Sequence, residues 1–179
     1  HVDRSHPIAE AFRGEANVQL LNEAKYDVVT IGNNEGITLE YQDLYDLYDQ
    51  ASFQVTVANL CAKEEKQPKW LQSTVTKITD SGLRISFFGL TAPFDPYYEP
   101  LGWDIHSPRE FLKENIEEIK ENSDIIIFLS HLGLAEDESI AEQFPEIDVI
   151  IGGHTHHVLK NDYIHNGVLL TAAGKFGSY

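Results

Sequence analysis

Three short stretches of the chain offer side chains of the kind that hold metal ions. These are "GNNE" with Asn33 and Asn34, "SHLG" with His131, and "GGHTHH" with His154, His156 and His157. Imidazole nitrogen together with amide oxygen suits zinc, manganese, iron, nickel or cobalt rather than calcium. The single Cys61 rules out a thiolate-rich structural zinc site, so a metal held here would be of the catalytic kind. Two ions about 3.5–4 Å apart can hold a phosphoryl oxygen, lower the pKa of a water and clamp the attacking and leaving oxygens of an in-line displacement. Singly, each stretch is ordinary: a His after a strand is commonly a surface residue, and "GNNE" alone reads as an asparagine-glycine turn. "GGHTHH" carries more weight, because two glycines let the backbone approach a charged centre while the side chains at 154 and 156 can each turn toward it. His157 is expected to point elsewhere.

Each stretch follows an apolar run, so strand ends must do the positioning. Strand patterns are "YDVVTIG" at 26–32, "FQVTVAN" at 53–59, "STVTKIT" at 73–79, "RISFFGL" at 84–90, "DIIIFLS" at 124–130, "DVIIGG" at 148–153 and "GVLLTAA" at 167–173. The continuous runs at 124 and 148 suit strands buried on both faces of a mainly parallel sheet. "SPREFLKENIEEIKEN" reads as a helix, with Ser107 as N-cap, Pro108 at the first position and a stripe of Phe111, Leu112, Asn115, Ile116 and Ile119. Further helices are expected in "LEYQDLYDLYDQA" from Leu39, "AEDESIAEQF" from Ala135, "HPIAEAFRG" and "VQLLNEAK". Strand and helix alternate, which gives an α/β architecture, and ligands collect at the carboxyl ends of such strands. "DSG" between two strand runs predicts a hairpin and hence a mixed sheet. The proline-dotted "TAPFDPYYEPLGWD" at 91–104 reads as a long surface loop.

The 179 residues, 42% of them hydrophobic, fit one globular domain, and no apolar run approaches the ~20 residues of a membrane span. A formal charge of −16 opposes non-specific binding to nucleic acid, so the expected partner is a small molecule, neither a nucleic-acid polymer nor a membrane. For a phosphate ester, bound metal ions would supply the local positive charge that this background lacks. The chain has no methionine and begins with His1, as expected of an excised segment, and a cytoplasmic origin is the expectation. Asp3 is expected to order a turn and His6 to precede a helix starting at Pro7, while His106 and His165 read as surface histidines. Tyr41, Tyr45 and Tyr48 follow helical spacing and are expected to pack.

In order and spacing, "GNNE", "SHLG" and "GGHTHH" resemble the later motifs of the calcineurin-like metallophosphoesterases, usually "GNHE", a strand-end His and "GHTH", and most of all the bacterial 5'-nucleotidase and cyclic-nucleotide phosphodiesterase branch. The resemblance covers about residues 1–176. It implies a four-layer α/β/β/α sandwich with mixed sheets, incomplete at both ends, so that residues 1–179 form part of one catalytic domain. It also implies a dinuclear centre of two divalent ions (Mn, Zn, Fe, Ni or Co) that hydrolyses phosphoesters through a metal-bound water. By position, Asn33, His131 and His154 would bind one ion and His156 the other. Thr155 and Gly153 would be scaffold, and Glu35 a structural partner of its loop.

The sequence departs from that pattern twice. The family's "DxH" and the "GD" whose aspartate bridges the ions are not in it, and "HVDRSHP" looks like the stretch just after that "GD". Neutral ligands are a poor counterweight to two dications, so this polypeptide alone is expected to bind metal weakly and show little activity. Asn34 stands where the family has a histidine acting on the leaving group, and an amide cannot serve as a general acid. The expected function is that of a 5'-nucleotidase-like hydrolase of nucleotides or related small phosphoesters, with Asn34 as the substrate-facing catalytic position. One alternative is a degenerate sandwich that serves as a binding or scaffold module. Another is a mononuclear hydrolase of non-phosphate bonds, disfavoured because no "HExxH" is present.

Overall fold

The strand ends named above meet in a computed structural model, which describes residues 6–64, 66–161 and 163–175. Two helices, α1 (Pro7–Ala11) and α2 (Glu15–Glu23), precede β1 (Val28–Val29), α3 (Asn33–Thr38), α4 (Tyr41–Asp46), β2 (Gln54–Thr56), β3 (Leu60–Ala62) and β4 (Leu71–Gln72). The hairpin β5 (Thr74–Ile78) and β6 (Arg84–Thr91) leads to α5 (Asp95–Tyr98), a 3-10 turn at Glu99–Leu101 and β7 (Trp103–Ile105). The chain continues with α6 (Pro108–Glu121), β8 (Ile125–His131), α7 (Leu134–Gln143), β9 (Val149–Gly152), β10 (Tyr163–His165) and β11 (Val168–Ala172).

The larger sheet runs β10-β11-β9-β8-β6-β5, with β6, β8, β9 and β11 parallel and the outer strands β5 and β10 antiparallel to their neighbours. A smaller parallel sheet runs β1-β2-β4, and β3 pairs with β7. One core packs Val18, Leu44 and Tyr48 against Val29 and Val55 of the smaller sheet. The other packs Leu112, Ile116, Ile119, Ile140 and Ala141 of α6 and α7 against Phe88, Phe128 and Ile150 of the larger one. The layers therefore follow the α/β/β/α order. The sheets touch at Gly89, whose N–H donates to Thr56 Oγ1 at 3.2 Å while its carbonyl accepts from Ala58 N at 2.7 Å. A Cβ there would overlap the Thr56 carbonyl and the Thr30 hydroxyl, so only glycine allows this approach.

Helix α6 forms for the reasons read from its sequence: Ser107 Oγ accepts from Glu110 N at 3.4 Å, Pro108 opens the helix, and Leu112, Ile116 and Ile119 fall on the buried face. The hairpin turns at Gly82, with φ +87°, closed by Thr79 N donating to Leu83 O at 3.0 Å. Of the tyrosines, Tyr41 packs on Trp103 with ring centroids 5.1 Å apart, and Tyr48 on Trp70 at 5.0 Å.

Several expectations need correction. The segment 91–104 is not simply a surface loop: it holds α5 and the start of β7, and Tyr98 and Trp103 are both fully buried. Asn33 opens a helix rather than a turn. β9 is covered on one face only, since Ile151 is 44% exposed. Asp3 lies outside the described residues, and His6 Nδ1 accepts from Ile8 N at 3.3 Å as the N-cap of α1.

Candidate metal centre

The parallel neighbours β8 and β9 end side by side, Ser130 in register with Gly152, and each hands the chain to an imidazole: His131 closes β8 and His154 follows Gly152 and Gly153. From the smaller sheet, the chain leaves β1 through Ile31 and Gly32 and places Asn33 at the start of α3. The three side chains converge. Asn33 Oδ1 lies 2.8 Å from His131 Nε2 and 3.1 Å from His154 Nδ1, and the two imidazole centroids are 5.0 Å apart.

Glycines make room for this. A Cβ on Gly32 would lie 2.7 Å from His131 Cε1 and 2.8 Å from its Nε2, and one on Gly153 would lie 3.2 Å from Nδ1. Gly32 N donates to the buried Glu35 carboxylate at 3.0 Å, which forms half a capping box around the Asn33 loop. Thr155 Oγ1 accepts from Leu134 N at 3.2 Å and lies 2.8 Å from His157 Nδ1, tying the "GGHTHH" loop to the start of α7. Within that loop His154 and His156 have φ of +64° and +57°, conformations L-residues adopt at some cost and which concentrate at functional sites. Phe94 covers one side of His154, with centroids 5.9 Å apart.

Burial is the main cause that lowers the His131 imidazole to about 4, opposed by the nearby Glu35 carboxylate and reinforced by His154 and His156. Burial and His156 lower His154 as well. Both rings are therefore neutral near pH 7, the state in which a ring nitrogen can offer a lone pair. His156 is close enough to be felt by both. Asn34 sits half-buried in the first turn of α3, and its carbonyl accepts from the Thr38 hydroxyl.

A family model for the calcineurin-like phosphoesterases matches residues 1–158. The chain belongs to that family. An uncharacterized metallophosphoesterase of Bacillus subtilis (strain 168), YunD, is 47% identical over 179 residues, which are 100% of this chain and 39% of that protein. A probable 5'-nucleotidase of Treponema pallidum (strain Nichols) is 28% identical over 155 residues, covering 84% of this chain and 26% of that one. The crystal structure of a 5'-nucleotidase precursor from Thermus thermophilus superposes with a TM-score of 0.80 at 25% identity, covering 94% of this chain and 37% of that chain. The chain thus spans well under half the length of these relatives.

Calcineurin-like phosphoesterases generally use divalent metals. The residues present fit that requirement: one amide oxygen and two neutral imidazole nitrogens share a small volume, and this donor set suits the late first-row divalent ions and zinc. Among the described residues, no group of three or more His, Cys, Asp or Glu side chains converges as a metal site, so the amide of Asn33 is essential to this donor set. Sequence reasoning missed Gly32, Phe94, Ser130 and Asp137. Only the first had a visible signal, a glycine directly before the "NNE" loop.

Proposed function

We propose that the protein hydrolyses small phosphoesters, nucleotides among them, at a centre of two divalent ions drawn from Mn, Zn, Fe, Ni and Co. In this reading Asn33, His131 and His154 hold one ion and His156 reaches the second. When bound, the ions supply the positive charge that neutralises phosphoryl oxygens and acidifies a water. The observation that carries the reading is the meeting of Asn33 Oδ1 with ring nitrogens of His131 and His154 within 3.1 Å.

The chain's own side chains do the rest. Gly32 and Gly153, lacking side chains, leave the space that the His131 ring occupies, and Phe94 shields His154. Glu35 places one buried negative charge behind His131. Asn34 faces the substrate as a hydrogen-bonding amide that can orient a phosphoryl or leaving oxygen without supplying a proton. An apolar groove of about 250 Å³ runs from Tyr26, Val28 and Ile31 past Ile151 to His131. Residues 1–179 form part of one catalytic domain in this reading. A cytoplasmic location belongs to the same proposal, and among the described residues no helix is long and apolar enough to cross a membrane.

The test uses the full-length protein with bis-p-nitrophenyl phosphate and with nucleoside 5'-monophosphates, each with Mn²⁺ and after chelation. Hydrolysis that needs the metal supports the proposal. A full-length protein inert under both conditions would leave the scaffold reading in its place.

A further inference from the structure

Asp137 is a buried carboxylic acid that belongs neither to the Asn33–His131–His154 cluster nor to any ion pair in the described residues. It lies in the first turn of α7, where its backbone N–H donates to Gly133 O at 3.0 Å, and Gly133 has no side chain with which to cap the helix. The Asp137 side chain turns away from the helix toward the sheet. Its Oδ1 accepts from the hydroxyl of Ser130, and Ser130 Oγ in turn accepts from Leu132 N at 3.1 Å. Its Oδ2 fills the side-chain space of Gly152, where a Cβ would lie 2.7 Å away.

Ser130 and Gly152 are register partners on adjacent parallel strands. Ser130 is the residue before His131, and Gly152 stands two before His154. One carboxyl group therefore touches both strands at the last point before each sends an imidazole into the cluster. Through Ser130 it also fixes the backbone on the far side of His131.

We propose that Asp137 is a positioning residue: it sets the spacing of His131 and His154 by joining Ser130 and Gly152, and so tunes the cluster's hold on a metal. The inference rests on the proposed metal centre, but its geometric part stands without a metal. Partners that orient metal-binding side chains typically change affinity 10- to 100-fold when removed. Asn keeps the size and one acceptor oxygen of Asp, and Ala keeps neither.

The experiment uses the full-length protein and the variants Asp137→Ala, Asp137→Asn, Ser130→Ala and the Asp137→Ala/Ser130→Ala pair. Imidazole proton–carbon NMR signals of His131 and His154 are followed without metal, and Mn²⁺ affinity is measured by calorimetry. In the expected result, Asp137→Ala and Ser130→Ala shift both imidazole signals and weaken Mn²⁺ about 10- to 100-fold. Asp137→Asn restores both readouts to within about three-fold of wild type, and the double variant is no worse than Asp137→Ala, because both changes cut one chain of contacts. Unmoved imidazole signals in Asp137→Ala, with only a lower melting temperature, would overturn the proposal, as would Asp137→Asn being as impaired as Asp137→Ala. If Asp137→Ala does not fold, Ser130→Ala, which removes a single hydroxyl, decides the matter. Wild-type protein that binds no Mn²⁺ would overturn the metal-centre reading, while the NMR comparison still judges Asp137.

Discussion

Gly32→Ala is a one-carbon change aimed at the cluster. The backbone at Gly32 has φ −98° and ψ 177°, extended values open to any residue, so the conformation itself does not resist the substitution. Space does. The added Cβ would stand 2.7 Å from His131 Cε1, about 0.8 Å inside the ~3.5 Å at which carbon atoms pack best. The ring would have to retreat by about that much, carrying Nε2 away from Asn33 Oδ1, from which it now lies 2.8 Å. The Gly153 backbone borders the same ring, close enough that a Cβ there would lie 3.2 Å from Nδ1, which restricts the room for retreat. Overpacking of this kind costs about 1–3 kcal/mol, reduced by the ~0.4–1 kcal/mol that Gly→Ala gains from a stiffer unfolded chain. At ~2–4 °C per kcal/mol, the melting temperature should fall by a few degrees. Displacements near 1 Å in a catalytic constellation cost about 100-fold in rate, so the kcat of Mn²⁺-dependent hydrolysis of bis-p-nitrophenyl phosphate should fall on that order. Gly153→Ala, whose Cβ would lie at 3.2 Å, should do less harm. A Gly32→Ala protein with wild-type kcat and an unchanged melting temperature would refute the placement of His131.

Four other changes have defined outcomes. Asn34→His, which introduces a group able to protonate a leaving oxygen, should speed hydrolysis of esters with poor leaving groups more than that of p-nitrophenyl esters, by up to ~100-fold, in a steady-state comparison of the two substrate types. Burial lifts the Asp137 carboxyl to about 7, against the bond from Ser130 and with help from Glu136 and Glu138, so the folded protein keeps a proton that the unfolded chain releases above about pH 4. Relative to Asp137→Asn, wild-type stability in urea should therefore be greatest near pH 4 and decline as pH rises to about 7; the opposite trend from His131 is common to both proteins and cancels. Mn²⁺ at 100 times its Kd should stabilise the full-length protein by about 2.7 kcal/mol in a thermal melt, and EDTA should remove the gain. Glu35→Ala, which frees Gly32 N inside the fold, should cost about 1–3 kcal/mol by chemical denaturation and lower Mn²⁺ affinity.

What the sequence revealed and what it hid follow a physical line. The seven longer strand runs and α6 were legible because their signals are local: the apolar run of "DIIIFLS", the "DSG" turn, and Ser107–Pro108 ahead of a periodic stripe. β3, β4 and β7 hold through partners far along the chain, as Cys61 pairs with Asp104, so no local period announces them, whereas β10 is a three-residue strand in a hairpin with β11 that turns at Asn166 and Gly167. Prolines made 91–104 read as a surface loop, although Trp103 is buried against Tyr41. At the site the residue types were visible, but their meeting is tertiary: Asn33 and His131 are 98 positions apart and come from different sheets. Asp137 was hidden because an acidic residue in "AEDESIAEQF" reads as part of a solvated helix face, and only the strand ends beneath it turn it inward.

The central claim is that Asn33, His131 and His154 hold a divalent ion. The direct measurement is a crystal structure of the full-length protein soaked in Mn²⁺, with anomalous maps on both sides of the manganese absorption edge. A manganese peak is expected within coordination distance, roughly 2.0–2.3 Å, of Asn33 Oδ1 and of a ring nitrogen on each of His131 and His154. An anomalous peak elsewhere in the molecule, with those three side chains still hydrogen-bonded to one another, would contradict it.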